Sequence, residues 1–242
     1  MIRFVALACV ALTLGACTPV PQGDTFADPL ETANRGVFEL NKGVDTIALR
    51  PVSRVYGAVV PDPVKNGFSN FASNLDQPGI VVNDLLQGQG FDAGHNLLRF
   101  TMNTLFGFGG LLDPATEMGL EKRATDFGAT LHQWGAGEGA YLVLPFLGSS
   151  TVRDAIGSAV DVAANPTRVW LKDDLATGAS VANAASLVGD RHRYSGVIDS
   201  VLYESADGYA QARLLYLQNR RFELNGDTNE DTVFDPFAEP EG

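Results

Sequence analysis

The sequence predicts an all-α protein, and three observations carry that expectation. Apolar residues recur at helical steps over long stretches, proline and glycine punctuate those stretches, and no alternating strand pattern of useful length appears. No internal repeat is evident. At 242 residues the chain suffices for one large domain or two small ones.

The chain opens with Met1-Ile2-Arg3, one positive charge, followed by an apolar run from Phe4 to Leu14. Leu14-Gly15-Ala16-Cys17 then reads as a lipobox, where a secretory signal (residues 1–16) is removed and the exposed cysteine acylated. The run is too short to cross a bilayer, which takes about 20 apolar residues. Cys9 would leave with the signal and Cys17 would carry lipid, so no thiol is left for a disulfide, a metal or catalysis. Thr18 follows the cysteine in place of aspartate, which favours sorting to the outer membrane. Residues 17–27, with two prolines and a glycine, read as a short acylated tether.

Asp28-Pro29-Leu30-Glu31 predicts a helix start, with Asp28 as cap, Pro29 in the first turn and Glu31 reaching back. Leu30, Ala33, Val37, Leu40, Val44 and Ile47 fall on one face of that helix. Val64, Phe68, Phe71 and Leu75 mark a second helix, expected to end at Pro78, with Ile80 to Leu86 as a separate short one. Phe91 to Phe108 is the most apolar candidate, yet Asp92, His95, Asn96, Arg99 and Asn103 interrupt it too often for a simple membrane span. Ala140 to Leu147 reads as a short buried run. Ser150 or Thr151 can cap a helix carrying Val152, Ile156, Ala159 and Ala163. Val181 to Leu202 and Tyr209 to Phe222 predict two longer helices. The helical domain therefore spans residues 28–221, and the acidic segment 222–242 reads as a disordered tail or a docking segment for a basic partner.

Charge and chemistry exclude several functions. With 29 acidic against 17 basic side chains and a net charge of −12, nucleic acid is an unfavourable partner. His95, His132 and His192 are the only histidines, and no metal-binding spacing joins them. Gly148-Ser149-Ser150 is not a nucleophile elbow, and Gly135-Ala136-Gly137-Glu138-Gly139 lacks the lysine and preceding strand of a phosphate loop. No catalytic residue, metal or cofactor is expected.

From Asp28 onward the motifs come in a specific order. Asp28-Pro29-Leu30-Glu31, Asn34-Arg35, Phe38 and Asn41 are followed by Leu49-Arg50-Pro51-Val52. Next come Asn66-Gly67-Phe68-Ser69-Asn70-Phe71, Asn74-Leu75, Pro78, Val82-Asn83 and Leu86-Gln87-Gly88. Arg99-Phe100, Asn103-Thr104-Leu105, Gly107, Gly109-Gly110 and Asp113 follow. The last block runs through Asp126-Phe127-Gly128, Trp134-Gly135, Leu144-Pro145, Gly148-Ser149 and Arg153-Asp154. This order resembles the MlaA (VacJ) family of outer-membrane lipoproteins over about 130 residues.

The resemblance implies amphipathic helices forming a membrane-embedded ring around a central channel. It implies phospholipids as cargo, taken from the outer leaflet to a periplasmic carrier of the MlaC type, with a trimeric porin as neighbour. On that reading Asn96, Arg99 and Asn103 face the channel, or else simply face solvent or bond to other helices, while Phe91, Leu98 and Leu105 face lipid or neighbouring helices. Gly107, Gly109 and Gly110 form either a hinge between channel states or a plain tight turn. The rival readings are a scaffold lipoprotein without a channel and an envelope hydrolase.

Overall fold

The computed structural model describes residues 28–167 and 171–225. The signal segment, Cys17, the tether and the tail beyond Asn225 lie outside the described residues.

Helix α1 (Glu31–Val44) passes through a π-helical turn (Asp45–Leu49) into α2 (Arg50–Val59). Asp28 does not cap α1, which has no side-chain cap. Its carboxylate instead accepts from Asn34 Nδ2 at 3.1 Å and from the Tyr209 hydroxyl, and pairs with Arg213 at 3.1 Å. Glu31 pairs with Arg35 on the helix surface. The apolar face read from the sequence is not the buried one. Asn34 and Phe38 face inward, whereas Leu40 and Ile47 are exposed.

Helix α3 (Asp62–Leu86) runs straight through Pro78, which was expected to end it. Proline removes one helical hydrogen bond. The loss is tolerated because the buried face continues on both sides, through Ala72, Asn74 and Gln77 to Ile80, Asn83 and Asp84. A tight reversal at Gly88 (φ 75°) leads into α4 (Gly90–Phe106), packed along α3. Asp113 caps the single turn α5 (Pro114–Glu117), and Asp126 caps α6 (Phe127–Gln133).

A hairpin follows where no strand was expected. β1 (Tyr141–Leu144) pairs antiparallel with β2 (Gly148–Thr151), Tyr141 opposite Thr151 and Leu144 opposite Gly148. The free edge of β1 is satisfied by two asparagines two turns apart on α1. Asn34 donates to the Tyr141 carbonyl and accepts from Val143 N–H, both at 2.9 Å. Asn41 donates to the Leu144 carbonyl at 2.9 Å and accepts from Phe146 N–H at 2.8 Å. Each carboxamide thus supplies the donor and acceptor that a third strand would bring.

Thr151 caps α7 (Val152–Ala164), accepting from Asp154 N–H at 3.2 Å. Helix α8 (Asp173–Arg193) ends at Tyr194, so the single helix expected over 181–202 is in fact three pieces: α8, α9 (Ser195–Asp199) and a second π-helical turn (Ser200–Glu204). Helix α10 (Gly208–Asn225) continues past Phe222, which moves the start of the tail to beyond Asn225.

The packing closes a circuit. α2 lies on α8, α8 on α3, and α3 on α4 and α6; α6 packs on α7 and α7 on β2. The hairpin returns to α1, and α10 bridges β2 to the second π-helical turn. A small aromatic core of Phe38, Tyr141 and Tyr209, with Val143 and Leu217, fills the join.

Burial is inverted relative to a water-soluble fold. On α4 the buried residues are Ala93, Asn96, Arg99 and Asn103, while Phe91, Leu98, Leu105 and Phe106 are exposed. The same holds around the circuit, with Asp45, Ser53, Asn74, Gln77, Asp84, Thr130 and Arg191 inside and Val55, Val59, Phe108, Phe146 and Leu147 outside. Among the described residues no helix is long and apolar enough to cross a membrane.

Candidate functional site

A polar cavity of about 1020 Å³ lies between the α3–α4 end, α6 and the C-terminal turn of α10. Asp84, Arg123, Asp126, His132, Gln133 and Arg220 contribute to its wall. Arg220 reaches it from α10 and pairs with Asp126 at 2.7 Å and Asp154 at 3.2 Å, leaving its Nε buried without a partner. The approach is close because Gly128 stands where a Cβ would lie 2.5 Å from Asp154 Oδ1. Burial pushes the Asp84 carboxyl up from its ordinary value, with Asp92 adding to the effect and the single hydrogen bond from Asn96 opposing it.

A second cavity, about 660 Å³, has the opposite character. Phe38, Val52, Val143, Leu147, Leu187 and Ile198 line it, with Asp45 and Arg191 at its polar edge. The molecule therefore offers a charged cavity and, with no lining residue in common, an apolar groove walled partly by the exposed Val52, Leu147 and Leu187.

Asn96, Arg99 and Asn103 do come together on the buried face of α4, at relative exposures of 0%, 3% and 5%. Each has protein partners. Asn96 donates to Asp84 Oδ2 at 2.8 Å and to the Arg123 carbonyl at 3.0 Å. Arg99 donates to Thr116 Oγ1 at 3.0 Å and to both oxygens of Asp113, at 3.0 and 3.2 Å. Asn103 donates to Asp113 at 2.8 Å and accepts from Ala115 N–H at 3.1 Å. None of the three lines either cavity. Sequence reasoning missed their acidic partners Asp84 and Asp113. Asp113 was findable, since Asp-Pro at 113–114 is the signature of a capped helix start.

The glycines after α4 make a hydrogen-bonded reversal. Gly109 N–H bonds to the Thr104 carbonyl at 3.0 Å, and Leu112 N–H to the Gly107 carbonyl at 2.9 Å. Gly109 (φ 75°) and Gly110 (φ 102°) need the left-handed region, and a Cβ on Gly110 would meet Asn74 Cβ at 2.6 Å. His95 bonds the Glu121 carbonyl, and His132 faces the polar cavity. Among the described residues no cluster of three His, Cys, Asp or Glu is placed to hold a metal.

The family model for the MlaA lipoprotein matches residues 26–223. The chain belongs to the MlaA lipoprotein family. The intermembrane phospholipid transport system lipoprotein MlaA of Escherichia coli (strain K12) is 34% identical over 234 residues, covering 93% of this chain and 90% of that protein. The MlaA of Haemophilus influenzae is 32% identical over 203 residues, with 82% and 79% covered. A solved structure, described as the structural basis for maintenance of bacterial outer membrane lipid asymmetry, superposes with a TM-score of 0.69 at 35% identity. It covers 82% of this chain and is itself covered completely. The MlaA match extends through α8 and α10, beyond the stretch whose motifs carried the resemblance.

Proposed function

We propose that this MlaA-family chain is an outer-membrane lipoprotein that moves mislocalised phospholipids out of the outer leaflet, preserving lipid asymmetry. The inverted burial carries the reading. A fold that turns Phe91, Leu105, Phe106, Phe108 and Phe146 outward while burying Asp45, Asp84, Arg99 and Arg191 is stable where the surroundings are acyl chains and the centre is wet. Relatives named for intermembrane phospholipid transport support the same reading.

On this proposal Cys17 is the acylated anchor, and the helical circuit sits in the periplasmic leaflet. The cargo passes to a soluble periplasmic carrier of the MlaC type, with a trimeric porin alongside. The chain works without catalysis. It holds no nucleotide motif, so lipid moves down a gradient or toward a tighter-binding carrier. The test is a deletion strain assayed for surface-exposed phospholipid and complemented with wild type and with Cys17→Ala. Surface phospholipid should rise in the deletion and fall only with an acylatable protein. Normal asymmetry in the deletion would overturn the proposal.

A further inference from the structure

Away from both cavities, the start of α3 and the end of α8 border an open polar pocket of about 340 Å³. Its ionisable groups are Asp62, Lys65, Asp190, His192 and Arg193. Two of them, the exposed Arg193 and the half-buried Asp190, make no ion pair. Arg193 donates to Asn66 Oδ1 at 3.1 Å, but among the described residues no carboxylate pairs with it. The other described arginines all have such a partner. Asp190, one turn earlier on the same helix, has Ser186 Oγ at 3.5 Å and no cation. An acid and a base at this spacing on a helix readily pair with each other. Here they stay apart.

The rest of the pocket is held in place. Lys65 donates to Asp62 at 2.7 Å and to the Gly57 carbonyl at 3.3 Å, leaving one ammonium hydrogen over. The His192 ring lies directly on the Gly57 backbone, where a Cβ would come within 2.3 Å of it. Beside the pocket, Val64, Tyr194 and Val197 are exposed.

Charge decides the ligand class. Lys65 and Arg193 stand against Asp62 and Asp190, so an anion gains little from the pair of cations, and the whole chain at −12 repels it further. A zwitterion fits the separated pair. We propose that this pocket binds a phosphoethanolamine-type headgroup, its phosphate on Arg193, Lys65 and His192 and its ammonium on Asp190. The exposed Val64, Tyr194 and Val197 would then lie along the acyl chains, as aromatic and aliphatic side chains do at a membrane interface. This lipid site rests on the phospholipid reading of the fold, but it is separate from the polar cavity and the apolar groove.

The three histidines make a local test possible, because His132 lies in the large polar cavity and His192 in this pocket. Their ring resonances are followed in the full-length protein, assigned with His192→Gln, while soluble dihexanoyl phosphatidylethanolamine is added. The His192 signals should shift saturably, and Arg193→Gln and Asp190→Asn should each weaken that binding by about three- to tenfold. Dihexanoyl phosphatidylglycerol and inorganic phosphate should bind less well, and free phosphoethanolamine should reproduce the shift at lower affinity. The proposal is overturned if His192 stays still while His132 responds, which would leave the transport reading intact. It is also overturned if Asp190→Asn has no effect, or if the anionic probes bind as tightly.

Discussion

The Arg191 guanidinium holds the Asp45 carboxylate through two hydrogen bonds, 2.7 and 2.9 Å long, across 146 residues of chain. Both residues are buried, and the Tyr203 hydroxyl adds a third bond to Asp45 at 2.7 Å. Arg191 also pairs with Asp199 at 2.6 Å, and Arg50 with Asp199 at 2.8 Å. This cluster ties both π-helical turns to the end of α8 and so closes one side of the circuit.

Removing one partner should therefore leave a buried charge alone. Arg191→Met is expected to cost about 3–5 kcal/mol of stability. The double variant Asp45→Asn/Arg191→Met should recover part of that loss, because no unpaired ion remains. Thermal unfolding of the four proteins in one detergent measures both effects. A double variant at the sum of the two singles would refute the pair as the source.

Arg99 bridges α4 to Thr116 and Asp113, so Arg99→Gln should lower the melting temperature as well as any transport activity. A loss of about 2 kcal/mol is expected for removing these three charge-assisted bonds. Surface phospholipid rising at an unchanged melting temperature would instead make Arg99 a contact for cargo.

The three glycines after α4 should rank by their surroundings. Gly109→Ala pays only for the left-handed backbone, about 1 kcal/mol, since nothing lies within 4 Å of the new Cβ. Gly107→Ala meets the Asn103 and Leu112 carbonyl oxygens at 2.4 Å, and Gly110→Ala meets Asn74, so both should cost more. Equal melting temperatures for the three would contradict the packed reversal.

Asp84 sets a pH dependence. Its folded-state pKa lies above the ordinary value, so the ionised carboxylate destabilises the fold at higher pH. That penalty fades as pH falls through the raised pKa and is gone below about 3.9, the unfolded value. Asp84→Asn keeps an acceptor for Asn96 and should raise the melting temperature at neutral pH by about 2–4 °C. At low pH the two proteins should melt together.

The outward apolar face is testable by partitioning. In the unacylated Cys17→Ser background, Leu105→Glu/Phe106→Glu should reduce flotation with liposomes about tenfold without lowering the melting temperature. Unchanged flotation would mean that this face does not meet lipid.

The helices were legible because their apolar period survives whichever face is buried, as α4 demonstrates. The inward face of α1 was not, since the apolar period marks the face of Leu40 and Ile47, which is exposed, and leaves no sign that Asn34 and Phe38 are the buried residues. Pro78 misled for a related reason. Its local penalty is real, but apolar burial on either side, at Ala72 and Ile80, keeps the helix going through it. The hairpin strands, four residues each, are too short to declare a period of two, and β1 owes its edge partners to Asn34 and Asn41 over a hundred residues away. The α4 polar triad was found from the sequence, but its acceptors were not, because an acid 10 to 14 residues off leaves no periodic trace.

The inverted surface has a cost before the protein reaches its destination. On the proposed outer-membrane reading the chain would cross an aqueous gap with Phe91, Leu105, Phe106, Phe108, Phe146 and Leu147 facing water. Whatever escorted it there would have to shield the flank of the folded body as well as any lipid carried on Cys17.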